Sequence, residues 1–351
     1  MSRTTILRTG FEFVYRSGAA RLLSQRWGGL GVVFCLHHVT PGGGHQAGFA
    51  PNSNLEITPE FLGDIITLVK AKGYELISLS NAVERLKAQR KGNRFAVFTL
   101  DDGYKDNLLH AMPVFQRHNC PFTVYVSPGI ADGTCEIWWR GLEQVIAKAG
   151  RLDININGQK FVADTMTQAA KWSAWKALAP RLQHMAEFAQ RDAIKRLADE
   201  HQVDLSAMCR ATAMTWDELR LLSANPLATI GAHTLNHYNL RKLAEEDARR
   251  EIVESGRRIA SELGKAVEHF AYPYGNRDAA GPREFKLCEE AGYTSSVVTR
   301  LGTLEPEHAK HLQALPRIMI SGRFQKTRYI EALISGVPGR FSNRFGALNV
   351  A

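Results

Sequence analysis

The sequence predicts an α/β protein, an irregular (β/α)7-8 barrel with a helical insertion in one βα loop. Three observations lead there. Short β-rich runs alternate with helical periodicity along most of the 351 residues, which implies parallel strands joined by right-handed crossovers. Four of those runs lead straight into polar clusters, as expected where βα loops gather at one mouth of a barrel. The alternation breaks once, over about 140–214, which marks an insertion rather than a second barrel.

The elements follow in chain order. Residues 1–28 mix Ile6, Leu7, Phe11, Phe13, Leu22 and Leu23 with five arginines and read as a basic amphipathic helix region. It is expected either to cover a core or to lie peripherally on a membrane surface. The barrel is expected over 29–324, with strand candidates Gly31–Leu36, Glu75–Leu79, Phe95–Leu100, Phe122–Val126, Ala228–Ala232, Glu268–Tyr272, Thr294–Val298 and Leu315–Ile320. Helical patterns lie between most of them, among them Thr58–Lys72, Asp106–His118 and Trp216–Ser223. Thr58-Pro59-Glu60 and Thr215-Trp216-Asp217-Glu218 have the residue types of helix N-caps. Within the insertion, Asn157-Gly158 predicts a hairpin turn, followed by Trp-bearing helix. Residues 325–351 read as a basic helical tail.

Composition narrows the class. At 44% hydrophobic and 23% charged residues the chain is a folded globular protein. No apolar run reaches the ~18 residues of a membrane helix. Arginines interrupt the N-terminal apolar stretch, unlike a secretory signal. Five cysteines without a CxxC pair fit neither a disulfide framework nor sulfur-bound zinc, and so predict a reducing, cytoplasmic compartment. The net charge of +9 suits solubility or attraction to anionic lipid at the inner membrane face; no motif supports nucleic acid as a partner.

The chemistry is expected at strand ends. Phe95–Leu100 runs into Asp101-Asp102-Gly103. Consecutive side chains leaving a strand diverge, so the two carboxylates should meet different environments and could divide the work of metal ligand and general base. Asp-Asp-Gly is also ordinary turn chemistry. Ala228–Ala232 runs into His233-Thr234-Leu235-Asn236-His237, whose imidazoles share a face if the turn is helical. With a strand-end Asp they make three ligands, the catalytic rather than the structural pattern. Gly31–Leu36 ends in His37-His38, one of which should face the mouth, where an imidazole can move protons near neutral pH. There is no G-x-S-x-G elbow and no complete dinucleotide or phosphate loop.

The stretches FTLDDGYKDN (98–107), GAHTLNHYNL (231–240) and FAYPYG (270–275), with LPRI (315–318), resemble the polysaccharide deacetylases of the nodulation-deacetylase homology group, over roughly Gly31 to Ile320 outside the insertion. The resemblance implies an irregular barrel and metal-assisted removal of N-acetyl groups from a chitooligosaccharide-like amino sugar, with a divalent cation (Zn2+ before Co2+, Ni2+ or Mn2+) activating amide and water. By match it makes Asp101 the base, Asp102, His233 and His237 the metal ligands, and Thr234 a brace for the histidine loop. The acid His that the family places near the C-terminus has no good candidate here. VVFCLHHV (32–39) resembles a rearranged version, which points to His37 as acid and His38 as the alternative. The family's third motif often begins with an Arg that pairs with the base; Ala271 stands there instead, and Arg317 is the candidate replacement. The Tyr274 N–H, beside Pro273, is the implied oxyanion donor. Tyr104, Trp138, Trp139 and Tyr274 are candidate sugar platforms, while Trp172 and Trp175 are expected mainly to stabilise the insertion. The expected partner is an N-acetylated oligosaccharide or glycan precursor. Two further readings are a hydrolase of non-sugar amides and a catalytically weak carbohydrate-binding homologue.

Overall fold

A computed structural model describes residues 3–44, 48–89, 92–156 and 158–350. Its main sheet contains eight parallel strands: β1 (Gly31–Leu36), β2 (Glu75–Leu76), β3 (Phe95–Leu100), β4 (Phe122–Val126), β5 (Ala228–Ala232), β6 (His269–Ala271), β7 (Ser295–Val297) and β8 (Ile318–Met319). The order is β7-β6-β5-β4-β3-β1-β8, with β2 beside β3. Leu315, just before β8, bridges to Val297 in β7, so the two ends of the curled sheet meet. This is the irregular (β/α) barrel that the alternation predicts.

Several strands are shorter than their β-rich runs. β2, β6, β7 and β8 keep only two or three paired residues, because closing a barrel at uneven height leaves little room for a ladder before the chain turns into the next loop. β1 and β3 are buried throughout and pair in register from Gly31 opposite Phe95 to Leu36 opposite Leu100. That pairing brings His37 and Asp101 out at the same level. All eight strands being parallel, their C-terminal ends share one rim.

The helices form the outer layer. Thr58 caps Pro59–Ala71 through the Phe61 N–H, and Thr215 and Glu218 form a reciprocal capping box on Trp216–Ser223. The helix expected from Asp106 differs: Asn107–Ala111 is a wide π turn before the α-helix Met112–His118. Its cause is local. Asp106 accepts from His38 Nδ1 and the Val39 N–H, and Asn107 donates to the His37 carbonyl, so the helix start is drawn towards the end of β1.

The insertion contains the helix Trp138–Lys148, the hairpin Arg151–Ile156 and Gln159–Asp164, and the helices Gln168–His184, Glu187–Glu200 and Leu205–Thr212. The turn residue Asn157 lies outside the described residues. Leu142, Val145, Ile146, Leu178, Leu182, Ile194 and Leu197 give the insertion an apolar core of its own, which reaches Tyr104 and Tyr274 at the barrel rim. At the chain ends, Arg3–Arg16 and Ala19–Trp27 pack on Thr327–Ile334 and Val337–Ser342.

Candidate metal-dependent active site

Asp101 and Asp102 leave β3 on opposite sides. Both oxygens of Asp101 accept from the Arg317 guanidinium at 2.7 Å, a bidentate pair buried on both sides. Arg317 also donates to Thr99 Oγ1 and the Val298 carbonyl. Burial raises the Asp101 pKa, but Arg317 outweighs it and holds the carboxyl below its ordinary value. Arg317 thus stands where the charge absent at Ala271 is wanted. Ala271 contributes its carbonyl, which accepts from His233 Nδ1 at 2.7 Å.

Asp102 Oδ1 lies 3.4 Å from His233 Nε2 and 3.2 Å from His237 Nε2. One donor atom from each of these residues falls within 4.8 Å of the others. A carbonyl can only accept, so His233 carries its proton on Nδ1 and turns the Nε2 lone pair towards Asp102. Asp102 Oδ1 makes no hydrogen bond despite full burial. Burial raises the Asp102 pKa; the imidazole neighbours reverse this and leave it well below its ordinary value. A buried carboxylate oxygen facing two imidazole nitrogens without an intervening proton donor fits a divalent cation, and three protein ligands leave coordination positions open.

The backbone around these groups is strained. Asp102, Thr234, His237 and Tyr274 all have φ between +55° and +74°, a region non-glycine residues seldom occupy and which clusters at functional sites. Around Tyr274 the Gly275 N–H donates to the Pro273 carbonyl at 2.7 Å, a tight three-residue turn.

A cavity of about 830 Å³ opens over this floor, lined by His37, Asp101, Asp102, His233, His237 and Tyr274. His37 has a ring nitrogen within 4.8 Å of an Asp101 oxygen, and its buried Nδ1 has no partner. Burial pulls its pKa down.

Four sequence expectations need correction. His38 is not available as an acid: it is buried, bonded through Nδ1 to Asp106 at 2.6 Å and stacked on Tyr104 at 3.6 Å. Tyr104 is therefore no sugar platform, being fully buried beneath that stack. Pro273 is buried, outside the cavity lining, and shapes the turn instead of touching a ligand. Thr234 braces nothing through its hydroxyl, which is buried without a partner. The histidine loop is held from elsewhere: Glu251 binds Asn236 through its backbone N–H and side-chain amide, and Ser127 donates to the His233 carbonyl.

The insertion contributes more than sequence reading assigned to it. Trp172 and Trp175 line the cavity beside Trp138, Trp139 and Lys176, and Phe49 packs edge-on against both. Their Trp-x-x-Trp spacing puts them on one helix face, a signal present in the sequence. Trp139 is buried with its ring 4.8 Å from His237, and Trp138 donates to the Tyr274 hydroxyl. Arg191, in the helix Glu187–Glu200, was invisible to sequence reasoning. Fully buried, it pairs with Glu187 and donates to the His237 carbonyl at 3.0 Å.

A carboxylate and two imidazoles at the C-terminal rim of a parallel barrel, next to an Arg-clamped second carboxylate, form a donor set that suits a divalent cation. Residues 88–295, more than half of the chain, match the family described as polysaccharide deacetylase. The chain belongs to that family of enzymes that remove acetyl groups from carbohydrates. Solved structures share the fold. The Streptococcus pyogenes deacetylase PplD in complex with acetate is 15% identical, with a TM-score of 0.55 over 86% of this chain and 97% of its own. IcaB from Ammonifex degensii is 15% identical, with a TM-score of 0.53 over 87% and 97%. The de-N-acetylase from Aggregatibacter actinomycetemcomitans is 13% identical, with a TM-score of 0.53 over 86% and 99%. No curated protein matches the chain.

Proposed function

We propose that this protein is a zinc-dependent N-deacetylase that releases acetate from an N-acetylated amino-sugar oligosaccharide or glycan precursor. The observation that carries the reading is the division of labour between adjacent carboxylates: Asp101 clamped by Arg317, Asp102 facing His233 and His237.

Asp102, His233 and His237 would hold the cation, which when bound would polarise the acetyl carbonyl and make water nucleophilic near neutral pH. Nitrogen and carboxylate donors suit zinc, with Co2+, Ni2+ and Mn2+ as its neighbours. Asp101, kept ionised and oriented by Arg317, accepts the proton as water attacks the acetyl carbon. The Tyr274 N–H, presented by its left-handed turn, donates to the carbonyl oxygen as charge builds there. The proton taken up by Asp101 passes to His37, whose ring nitrogen lies within 4.8 Å of an Asp101 oxygen, and from there to the departing nitrogen as the C–N bond breaks, giving acetate and the free amine. Trp172 and Trp175 offer apolar faces on which sugar rings can stack. Five buried, free cysteines accord with a reducing, cytoplasmic setting for the reaction.

Acetate release across N-acetylglucosamine oligomers and simple linear N-acetyl amines tests this. Wild type with added Zn2+ should act on the sugars and not on the linear amines, and Asp102→Ala should lose activity by ~10²-fold or more. Equal turnover of linear amides would favour the non-sugar hydrolase. Oligosaccharide binding with no acetate released at any added metal would make the chain a binding homologue.

A further inference from the structure

The surplus positive charge is not spread evenly. Residues 1–28 hold five arginines against one glutamate, and residues 325–351 hold four basic side chains against one acidic, so most of the net +9 belongs to the two chain ends. These ends are far apart in sequence and adjacent in the fold. Arg3–Arg16 packs on Thr327–Ile334, and Ala19–Trp27 on Val337–Ser342. Phe11 meets Phe324 and Tyr329, while Glu12 is tied to Arg328 and Tyr329.

Phe11 marks the inward side of the first helix. At 100° per residue, Ile6 and Phe13 fall on the opposite side, and they are 58% and 70% exposed. In the second helix Ala20 is buried, and Leu22, two residues on, is 78% exposed. The closing segment adds Phe341 and Phe345, rings 5.0 Å apart and both mostly exposed. Arg21, Arg26 and Arg344 are exposed as well. Large apolar side chains left in water beside guanidinium groups that have no ion-pair partner among the described residues are what an interfacial helix needs: rings enter the acyl boundary while arginines stay at the headgroup level.

We propose that this paired-terminus face docks on an anionic lipid surface. The positive charge selects the occupant, since a neutral apolar partner would leave the arginines without a counterpart, whereas acidic headgroups supply one for each. The face is distinct from the Asp102 floor, but not remote: Phe324, on which Phe11 packs, follows Arg323 in sequence, and Arg323 lines the catalytic cavity. Docking does not depend on the proposed reaction.

The test is co-sedimentation of the full chain with vesicles of phosphatidylcholine alone, or mixed in equal parts with phosphatidylglycerol. Binding to the mixed vesicles should exceed binding to neutral ones by about tenfold or more and weaken as salt is raised. Arg21→Glu with Arg26→Glu should abolish the preference for anionic vesicles. Phe13→Ser with Leu22→Ser should release the protein from the mixed vesicles, and circular dichroism should show the fold unchanged. No binding to mixed vesicles, or equal binding to both kinds, overturns the proposal. So does a wild-type dimer in solution that Phe13→Ser with Leu22→Ser converts to monomer, which would make the face a contact between copies.

Discussion

At the scale of single residues, the site depends on charges that could not be buried alone. Arg317 and Asp101 are each almost fully excluded from water, so removing one partner strands the other at a cost of about 3–5 kcal/mol. Arg317→Met should therefore lower stability by that amount in urea unfolding, and lower kcat by ~10²-fold or more with metal content unchanged. Unaltered turnover with metal retained would reduce Arg317 to a structural role. Arg191 acts at one remove. It holds the His237 carbonyl while His237 occupies a left-handed backbone conformation, so Arg191→Met should weaken Zn2+ affinity by about 10–100-fold in competition with a chelator. An unchanged affinity would show that the loop holds its shape without it. Of these residues, Asp101, Asp102, His233 and His237 were legible because strand ends in a parallel barrel share one rim, and Arg317 only as the replacement for the Arg that the family resemblance expects at Ala271. Arg191 was not, since a helix 46 residues before its contact gives no periodic or motif signal.

Among the elements, the insertion changes most between sequence and structure. Its own apolar core lets it stand as a firm wall rather than a loose loop, and its helix Gln168–His184 presents Trp172 and Trp175 to the cavity. Both are only half-buried, so truncation should disturb binding more than folding. We expect Trp172→Ala with Trp175→Ala to raise KM for an oligosaccharide by about tenfold, from lost stacking area, with kcat and melting temperature nearly unchanged. A fall in kcat alone would argue against a platform. The π turn at Asn107–Ala111 is the converse case: composition suggested plain helix, and side-chain bonds from Asp106 and Asn107 to the end of β1 decided otherwise.

For the whole molecule, stability should depend on pH through two histidines remote from the cavity. Burial lowers the pKa of both His269 and His308 to about 4. The unfolded chain, with an ordinary value near 6.5, then binds more protons between those limits. Each histidine contributes fully above pH ~6.5 and loses its contribution as pH falls towards 4, up to about 3 kcal/mol apiece. The urea midpoint should drop from pH 7 to pH 5, and His308→Gln should flatten that drop; a midpoint constant over the window contradicts it.

The sequence by itself determined the barrel, the rim on which chemistry must gather and the two carboxylates and two imidazoles at its centre, because strand alternation and strand-end residues are local properties read directly from the chain. Only the tertiary structure decided which of two neighbouring histidines faces the cavity, that Tyr104 is sealed beneath one of them, and that both termini and a distant helix converge where they do. Those outcomes depend on burial and on contacts between residues far apart in sequence, and no local pattern records which partner a side chain will meet.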